Sequence, residues 1–471
     1  MQDIETRRFM FNPKTATLIL GYQYRNGELV SSHADEYASA GTGELDVENV
    51  MQIESILKRQ LYDKEATANI NLDFDEVYNN SIYTSYESIL GLLKFMKLYN
   101  VSVDCILFTG HAGNGHRAPT RAIAKKLTEK TEKNVIIVDI LSLFSSTVAK
   151  LNDKAWVTLS RSKIGQNIWN KVVRGEIDPE KTGFDIAPIF KILYSKKLKK
   201  LINKIAPKVV LSTYPYSNAI LSKIAEDNPC IKFAGVVVTD IEMLGFAMSS
   251  YGDVSNLHYF VASKVSWENG LKIYPYLKDS KGPIYIGTNP CFFDGEADSS
   301  NIVPDTVLFV PGSAEGLGMG IKVLPKLARF CKENNKKLIC ISGQGKPYNF
   351  AKKIHANYKS TMSLFKYVAS NDLKKLISSC EVVIGKAGGN MSSEFVSKSG
   401  CKIFYASIKG QETDNAKYYS DLGIATNVGN DTKKLFNAII EKPCTPSIYK
   451  AGIISKSAVD TIVDTVIPYL G

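Results

Sequence analysis

The sequence predicts an α/β chain in which two doubly wound, Rossmann-like domains follow a small α+β module. Three observations lead there. From Val101 onward, short runs rich in Val and Ile alternate with helical periodicity, the pattern of parallel strands buried on both faces. The alternation runs through one set, pauses near Gly287-Thr-Asn-Pro290, and starts again after Asn301. The length of 471 residues, of which 44% are apolar and 22% charged, suits two or three domains with sizeable cores.

In chain order, Thr17–Tyr24 and Glu28–Val30 flank Asn26-Gly27, a dipeptide that accepts positive φ, and so predict a hairpin. Asp46 caps a predicted helix over about 47–62, and Ser85–Leu98 has helical apolar spacing. His33, Asp35 and Glu36 read as turn residues rather than a metal cluster. Asp73-Phe-Asp75 resembles a metal-binding Asp-x-Asp, but no nucleotide-binding βα unit precedes it. No metal site is expected. The first domain (101–290) has predicted strands at Val103–Thr109, Val135–Val138, Val209–Ser212 and Phe233–Val238, with a helix over Thr120–Glu129. The second (291–445) has strands at Val307–Val310, Lys337–Ile341, Phe365–Val368, Glu381–Ile384 and Lys402–Tyr405, and residues 446–471 close the chain as a helix. Ligands are expected where the carboxyl ends of the strands face the crevice.

The densest chemistry lies in Val382-Val-Ile-Gly-Lys386-Ala-Gly388-Gly389-Asn390-Met391-Ser392-Ser393-Glu394, a strand running through a glycine turn into a helix. Glycines let the backbone approach a ligand, and a helix N-terminus offers unpaired N–H groups and partial positive charge to an anion such as a diphosphate. After the next strand, Gly410-Gln411-Glu412-Thr-Asp-Asn415 supplies amides and carboxylates suited to sugar hydroxyls. Pro311-Gly312-Ser313-Ala314-Glu315-Gly316-Leu-Gly318 is a second glycine-rich loop, and Val368 ends the third strand of the same domain. Such a loop also serves dinucleotides, but Ile341 is followed by Ser342-Gly-Gln-Gly345, without the acidic residue that a nicotinamide cofactor needs. In the first domain, Gly113-Asn114-Gly115-His116-Arg117 follows the first strand and places His116 at a helix start facing the crevice, where it is either a general base or a structural histidine. Asp240, after Val238-Thr239 at another strand end, is the competing base or the group that orients His116.

Lys-Ala-Gly-Gly followed by Ser-Ser-Glu, then Gly-Gln-Glu-x-x-Asn, with Gly-x-Gly-His upstream, resembles the glycosyltransferases that make monogalactosyl- and glucosyl-diacylglycerol. These are relatives of the peptidoglycan transferase that adds N-acetylglucosamine to a lipid carrier. The resemblance covers roughly residues 101–445; residues 1–100 match nothing comparable. It implies a GT-B fold, a nucleotide diphosphate sugar donor, most simply a UDP-sugar, no required cofactor and inverting chemistry. It also implies that Glu394 holds the ribose hydroxyls, that Gln411 and Glu412 read the sugar, that Gly312, Ser313, Glu315, Gly316, Val368, Lys386 and Gly388–Ser392 surround the donor, and that Gly113, Asn114, Gly115 and Arg117 line the acceptor side. The sequence departs from the family's Lys-Ala-Gly-Pro-Gly-Thr at Gly389-Asn390-Met391.

Charge bears on the acceptor. The net charge is +11, yet residues 1–100 hold nine Lys/Arg against fifteen Asp/Glu, so the remainder is strongly basic. Trp156 and Trp169 are interleaved with Arg161, Lys163, Lys171 and Arg174, and Lys191–Lys204 reads as a basic amphipathic helix. That combination suits an anionic membrane surface, a nucleic-acid backbone, or a surface helix packed by its Ile/Leu stripe. The resemblance favours diacylglycerol or a glycolipid as acceptor; hydroxylated bases in DNA are the alternative, and an epimerase or a nucleotide-sugar binding protein on the same fold is a third reading. No run of eighteen apolar residues and no leader pattern is seen, so a cytoplasmic, peripherally membrane-bound enzyme is expected. The eight cysteines are scattered without a Cys-x-x-Cys pair and read as reduced, mostly buried thiols.

Overall fold

The structure, a computed structural model, describes residues 4–11, 17–25, 28–37, 82–83, 89, 93, 102–110, 114–144, 167, 171, 198–241, 253–291, 295–297, 300–312, 319–343, 345–368 and 370–471. They form three sheets. The first is antiparallel: β1 (Ile4–Phe11), β2 (Thr17–Arg25) and β3 (Glu28–Tyr37). β2 and β3 pair antiparallel with Arg25 opposite Glu28, the register that the predicted hairpin requires. β1 was not anticipated, and His33, Asp35 and Glu36 lie within β3 rather than in a turn. Asp73, Asp75 and the helix predicted over 47–62 fall outside the described residues.

The second sheet has the order β10-β9-β8-β7-β5-β6-β4. Its strands are β4 (Ile82–Tyr83), β5 (Cys105–Thr109), β6 (Val135–Asp139), β7 (Val209–Ser212), β8 (Phe233–Val237), β9 (Leu257–Val261) and β10 (Pro283–Tyr285). All neighbours are parallel. Every residue of β5 to β8 is buried, which is why these strands read as unbroken apolar runs. β9 escaped detection because His258 interrupts it; the imidazole stacks on Phe233 with ring centroids 4.4 Å apart. Before β5, Ile89 is buried in the core of this sheet and Leu93 packs against it.

The third sheet, order β13-β12-β11-β14-β15-β16, comprises β11 (Val303–Val310), β12 (Lys337–Ile341), β13 (Met362–Phe365), β14 (Cys380–Gly385), β15 (Cys401–Tyr405) and β16 (Thr426–Gly429). Taken from β11, the order is 3-2-1-4-5-6, the doubly wound arrangement, with its switch point between β11 and β14. The sequence placed the third strand at Phe365–Val368, but β13 is an edge strand that pairs only with β12 and stops where Ile341 meets Phe365. Four helices matter below: α1 (Asn114–Thr131), α2 (Gly389–Val396), α3 (Gln411–Asp421) and α4 (Ala458–Val466).

The chain crosses between the two parallel sheets twice. Going out, Gly287 N–H still bonds Ala262 O at 3.0 Å, whereas Asn289 N–H already donates to Ser393 Oγ at 2.9 Å. Coming back, Ile448 N–H bonds Val396 O at 2.8 Å, and α4 buries Val459, Ile462, Val463 and Val466 in the core of the earlier sheet. Lys126 and Lys130 on α1 pair with Asp460 on α4. Lys402 on β15 fastens the start of the return, donating to Lys398 O at 2.7 Å, Pro446 O at 3.1 Å and Thr445 O at 3.2 Å. This ammonium is fully buried, and desolvation, followed by repulsion from Lys398, pushes its pKa down to about 7. The crossings meet where Gly287, at φ +73°, packs against Ile454; a Cβ there would overlap the Ile454 side chain. Gly287→Ala is therefore expected to cost about 1–3 kcal/mol, through positive φ and overpacking together. Urea denaturation with an unshifted midpoint would contradict this packing.

Cysteine behaves as read. All eight thiols are free, six of them buried, and burial pushes Cys340 up to about 12.

Candidate active site between the two parallel sheets

Two switch points meet where the domains touch. In the earlier sheet the order reverses between β5 and β7, and the residues following these strands meet: His116, on the first turn of α1 after β5, contacts Thr213, directly after β7. His116 Nδ1 lies 2.7 Å from Thr213 O. A carbonyl only accepts, so Nδ1 carries the proton and Nε2 keeps its lone pair. Thr239 Oγ1, 3.1 Å from the same nitrogen, is a second acceptor for that N–H. Thr120 Oγ1 donates to His116 O at 2.7 Å, fixing the turn on which the ring sits. The Tyr214 ring meets the imidazole edge-on at 5.1 Å, in space that exists because residue 110 is glycine: a Cβ there would overlap Tyr214. Desolvation drives the His116 pKa down to about 4, opposed in part by the bond to Thr213. The imidazole is thus neutral at pH 7. Thr213, Tyr214 and Gly110 escaped the sequence reading; their signal was position alone, at strand ends flanking a switch point.

Of the predicted acceptor loop, Gly113 lies outside the described residues, Asn114 heads α1 and Gly115 faces open space. Arg117 turns away from the cleft to pair with buried Asp139 at the end of β6, 2.6 Å apart. Its guanidinium fastens α1 to the sheet.

In the later sheet the turn after β14 leads into α2. Lys386 pairs with Glu412, whose second oxygen accepts from Ile408 N–H at 2.8 Å. Glu412 therefore anchors both the turn and the start of α3. Ser392 and Ser393 hydroxyls return to Gly389 O at 3.0 Å each, and Asn390 Oδ1 accepts from Asn289 Nδ2 at 2.5 Å. Met391 and Val368 pack against the core of this sheet. Gly312 follows β11 at the same switch point, while Ser313, Glu315 and Gly316 are outside the described residues, as is the side chain of Gln411. A Cβ on Gly389 would overlap Thr239 O and lie 3.3 Å from Asp240 Oδ1. The close approach that requires this glycine is made by the opposite domain. Asp240 likewise points across the cleft, accepting from Asn415 Nδ2 at 3.4 Å.

Glu394 is buried on α2, and desolvation raises its carboxyl to about 8. Ribose hydroxyls donate best to an ionised carboxylate, so if Glu394 holds the ribose, as the sequence resemblance implies, nucleotide binding would expel a proton below pH 8. Affinity for UDP should then rise toward pH 8 and level off above it, by at most ~1.4 kcal/mol per pH unit. Calorimetry in buffers of different ionisation enthalpy measures this; binding without proton release, or unaltered in Glu394→Ala, would remove Glu394 from the nucleotide site.

Residues 306–442 match the family model described as glycosyltransferase family 28 C-terminal domain. Among curated proteins, the processive diacylglycerol beta-glucosyltransferase of Staphylococcus epidermidis is 24% identical over 326 residues, 68% of this chain and 79% of its own length. Its namesake in Staphylococcus aureus is 22% identical over 331 residues, with the same shares. Among solved structures, Acinetobacter baumannii MurG superposes with a TM-score of 0.48 at 13% identity, over 77% of this chain and 99% of its own. S. aureus MnaA bound to UDP gives 0.46 at 12%, over 79% and 97%. The family match falls on the sheet that carries the Lys386–Glu394 turn, so over residues 306–442 the chain is similar to the glycosyltransferase family 28 C-terminal domain, within a two-domain, Rossmann-like α/β fold.

Proposed function

We propose that the protein is an inverting hexosyltransferase that uses a nucleotide diphosphate sugar, a UDP-sugar in the simplest case, and transfers the sugar to a hydroxyl of diacylglycerol or a glycolipid at a membrane surface. The observation that carries the reading is the neutral His116, its Nδ1–H spent on Thr213 O, on one side of a cleft whose other side is the N-terminus of α2. The names of the curated relatives support the lipid acceptor.

In this mechanism the acceptor O–H gives its proton to His116 Nε2 while its oxygen bonds to the anomeric carbon. The bond from that carbon to the diphosphate breaks on the opposite face, so one displacement inverts the configuration. Thr213 O, facing Nδ1–H, stabilises the imidazolium that forms. The departing diphosphate is met by the first-turn N–H groups of α2, dipoles that are already oriented before reaction. Glu394 would hold the ribose. Because Glu412 is engaged with Lys386 and Ile408, reading of the sugar falls mainly to Gln411.

Among the described residues no helix is long and apolar enough to cross a membrane, and a lipid acceptor would be met peripherally. In the described part of the basic stretch, Leu201, Ile202 and Ile205 are buried, while Lys200 and Lys204 face solvent and Lys199 pairs with Asp227 at 3.1 Å. Among the described residues of this stretch the apolar stripe is therefore core, and Lys200 and Lys204 are left facing outward. Trp156, Trp169, Lys196 and Lys197 lie outside the described residues.

The test is to incubate the protein with labelled UDP-hexoses and vesicles containing diacylglycerol and acidic lipid, and to read the anomeric configuration of the product by NMR. A β-linked glycolipid from an α-linked donor is expected. Retained configuration, or transfer only to duplex DNA bearing hydroxylated bases, would overturn the mechanism or the acceptor respectively. Replacing Lys196, Lys197, Lys199 and Lys200 by glutamine should weaken vesicle sedimentation by about 1 kcal/mol per exposed lysine.

A further inference from the structure

The contact between the domains centres on one amide. Asn415, on α3, is fully buried. Its Oδ1 accepts from Ile241 N–H at 3.1 Å, and its Nδ2 donates to Ala387 O at 3.0 Å and to Asp240 Oδ1 at 3.4 Å. A flipped amide would set donor against donor at Ile241 and acceptor against acceptor at Ala387, so the network fixes its orientation. Both amide protons are then spent on protein groups. Ala387 belongs to the turn between β14 and α2. Ile241 lies two residues after Thr239, which touches His116 Nδ1, and its own side chain is buried in the same apolar cluster as Val310 and Phe395 of the later domain. One side chain thus joins the two halves of the candidate site.

We propose that Asn415 is a positioning residue: it ties the Thr239–Ile241 loop to the Lys386–Gly389 turn, so that His116 is held in its working orientation when the domains are closed. Asp240 is, on this account, the partner of Asn415 in the latch and not the base. Its carboxylate accepts from the Asn415 amide and lies beside Gly389, so it is committed to the later domain although its backbone belongs to the first. A leucine at 415 would fill the space and leave Ile241 N–H and Ala387 O buried without partners, which explains an amide at this fully buried position. The proposal rests on the transferase reading for its kinetic consequences, but not for the latch itself.

Two measurements test the parts separately. Asn415→Ala should speed hydrogen exchange at the Ile241 amide and lower kcat about tenfold to a hundredfold, while the affinity for UDP, read by calorimetry, moves less than about threefold. Asn415→Asp keeps the acceptor for Ile241 but sets a second carboxylate against Asp240, so it should lose turnover as well. The Asp240→Asn/Asn415→Asp double variant restores a donor–acceptor pair across the interface and should recover about tenfold over Asn415→Asp. Unchanged exchange at Ile241 in Asn415→Ala would overturn the latch whatever the enzyme's activity. Wild-type kcat with weakened UDP binding would make Asn415 a donor contact instead. A double variant no faster than Asn415→Asp would return Asp240 to the chemistry. If the wild type transfers no sugar, the transferase reading fails, and the exchange measurement still decides the latch.

Discussion

His116→Ala should lower turnover by about two to four orders of magnitude, the range for loss of a general base, and leave UDP affinity almost unchanged. The expectation follows from the tautomer. With Nδ1–H committed to Thr213 O, the only site on the ring that takes a proton is Nε2, and removing the ring removes that acceptor without touching α2 or Glu394. Burial also sets the pH dependence. Because the folded imidazole titrates near 4, below its ordinary 6.5, it is unprotonated and active throughout the neutral range, and the acidic limb of kcat/KM for the free enzyme should fall near 4. The same shift has a stability counterpart. The unfolded chain takes up the proton first, so stability is intact above pH 6.5 and declines as pH falls toward 4. Near-normal turnover in a folded His116→Ala variant would leave the histidine structural.

Gly389→Ala is expected to lower turnover by about tenfold to a hundredfold with the fold preserved. Two effects compete. Alanine has the higher helix propensity, by at most ~1 kcal/mol and less at the first position of α2 than in a helix interior. Its methyl group, however, would overlap Thr239 O and stand 2.9 Å from Asn289 Nδ2 across the cleft, and overpacking of that kind costs about 1–3 kcal/mol. The backbone carbonyl cannot swing aside as a side chain tip can. The penalty exists only while the domains are closed, so it should appear as lost turnover and a more open molecule in small-angle scattering rather than as a lower melting temperature. A variant as active as wild type would show that closure to this contact is not required.

The repeating α/β architecture was legible in Val103–Thr109, Val209–Ser212 and Glu381–Ile384 because strands buried on both faces are built mainly from runs of Val, Ile, Leu and Phe. Edge and short strands were not, since β13 alternates buried and exposed positions and β9 carries a histidine whose partner, Phe233, is distant in sequence. The turn between β14 and α2 was recognisable for a local reason: glycine, lysine and a helix start lie within a few residues. Its detailed reading shifted. Gly389 accommodates the opposite domain, Glu412 anchors Lys386, and Arg117 binds Asp139. Each of these depends on a partner between 22 and 150 residues away, and no spacing rule reports such pairs. Summed charge was the least informative quantity. Lys398 and Lys402 are both buried in the later domain and belong to no outward-facing surface.

A chain that passes between its domains twice is joined at two points rather than one. Two attachments close together, with Gly287 lying against Ile454, leave rotation about the line through them as the easy movement and resist twisting and sliding. The two walls of the cleft would then separate and return along a single path, so that Asn415 meets Ile241 and Gly389 meets Thr239 in the same register at every cycle. Such a joint converts loose relative motion into one reproducible stroke. Cutting either crossing, for instance by ending the chain before Ala458, would free the other directions and scatter those contacts even with both sheets intact.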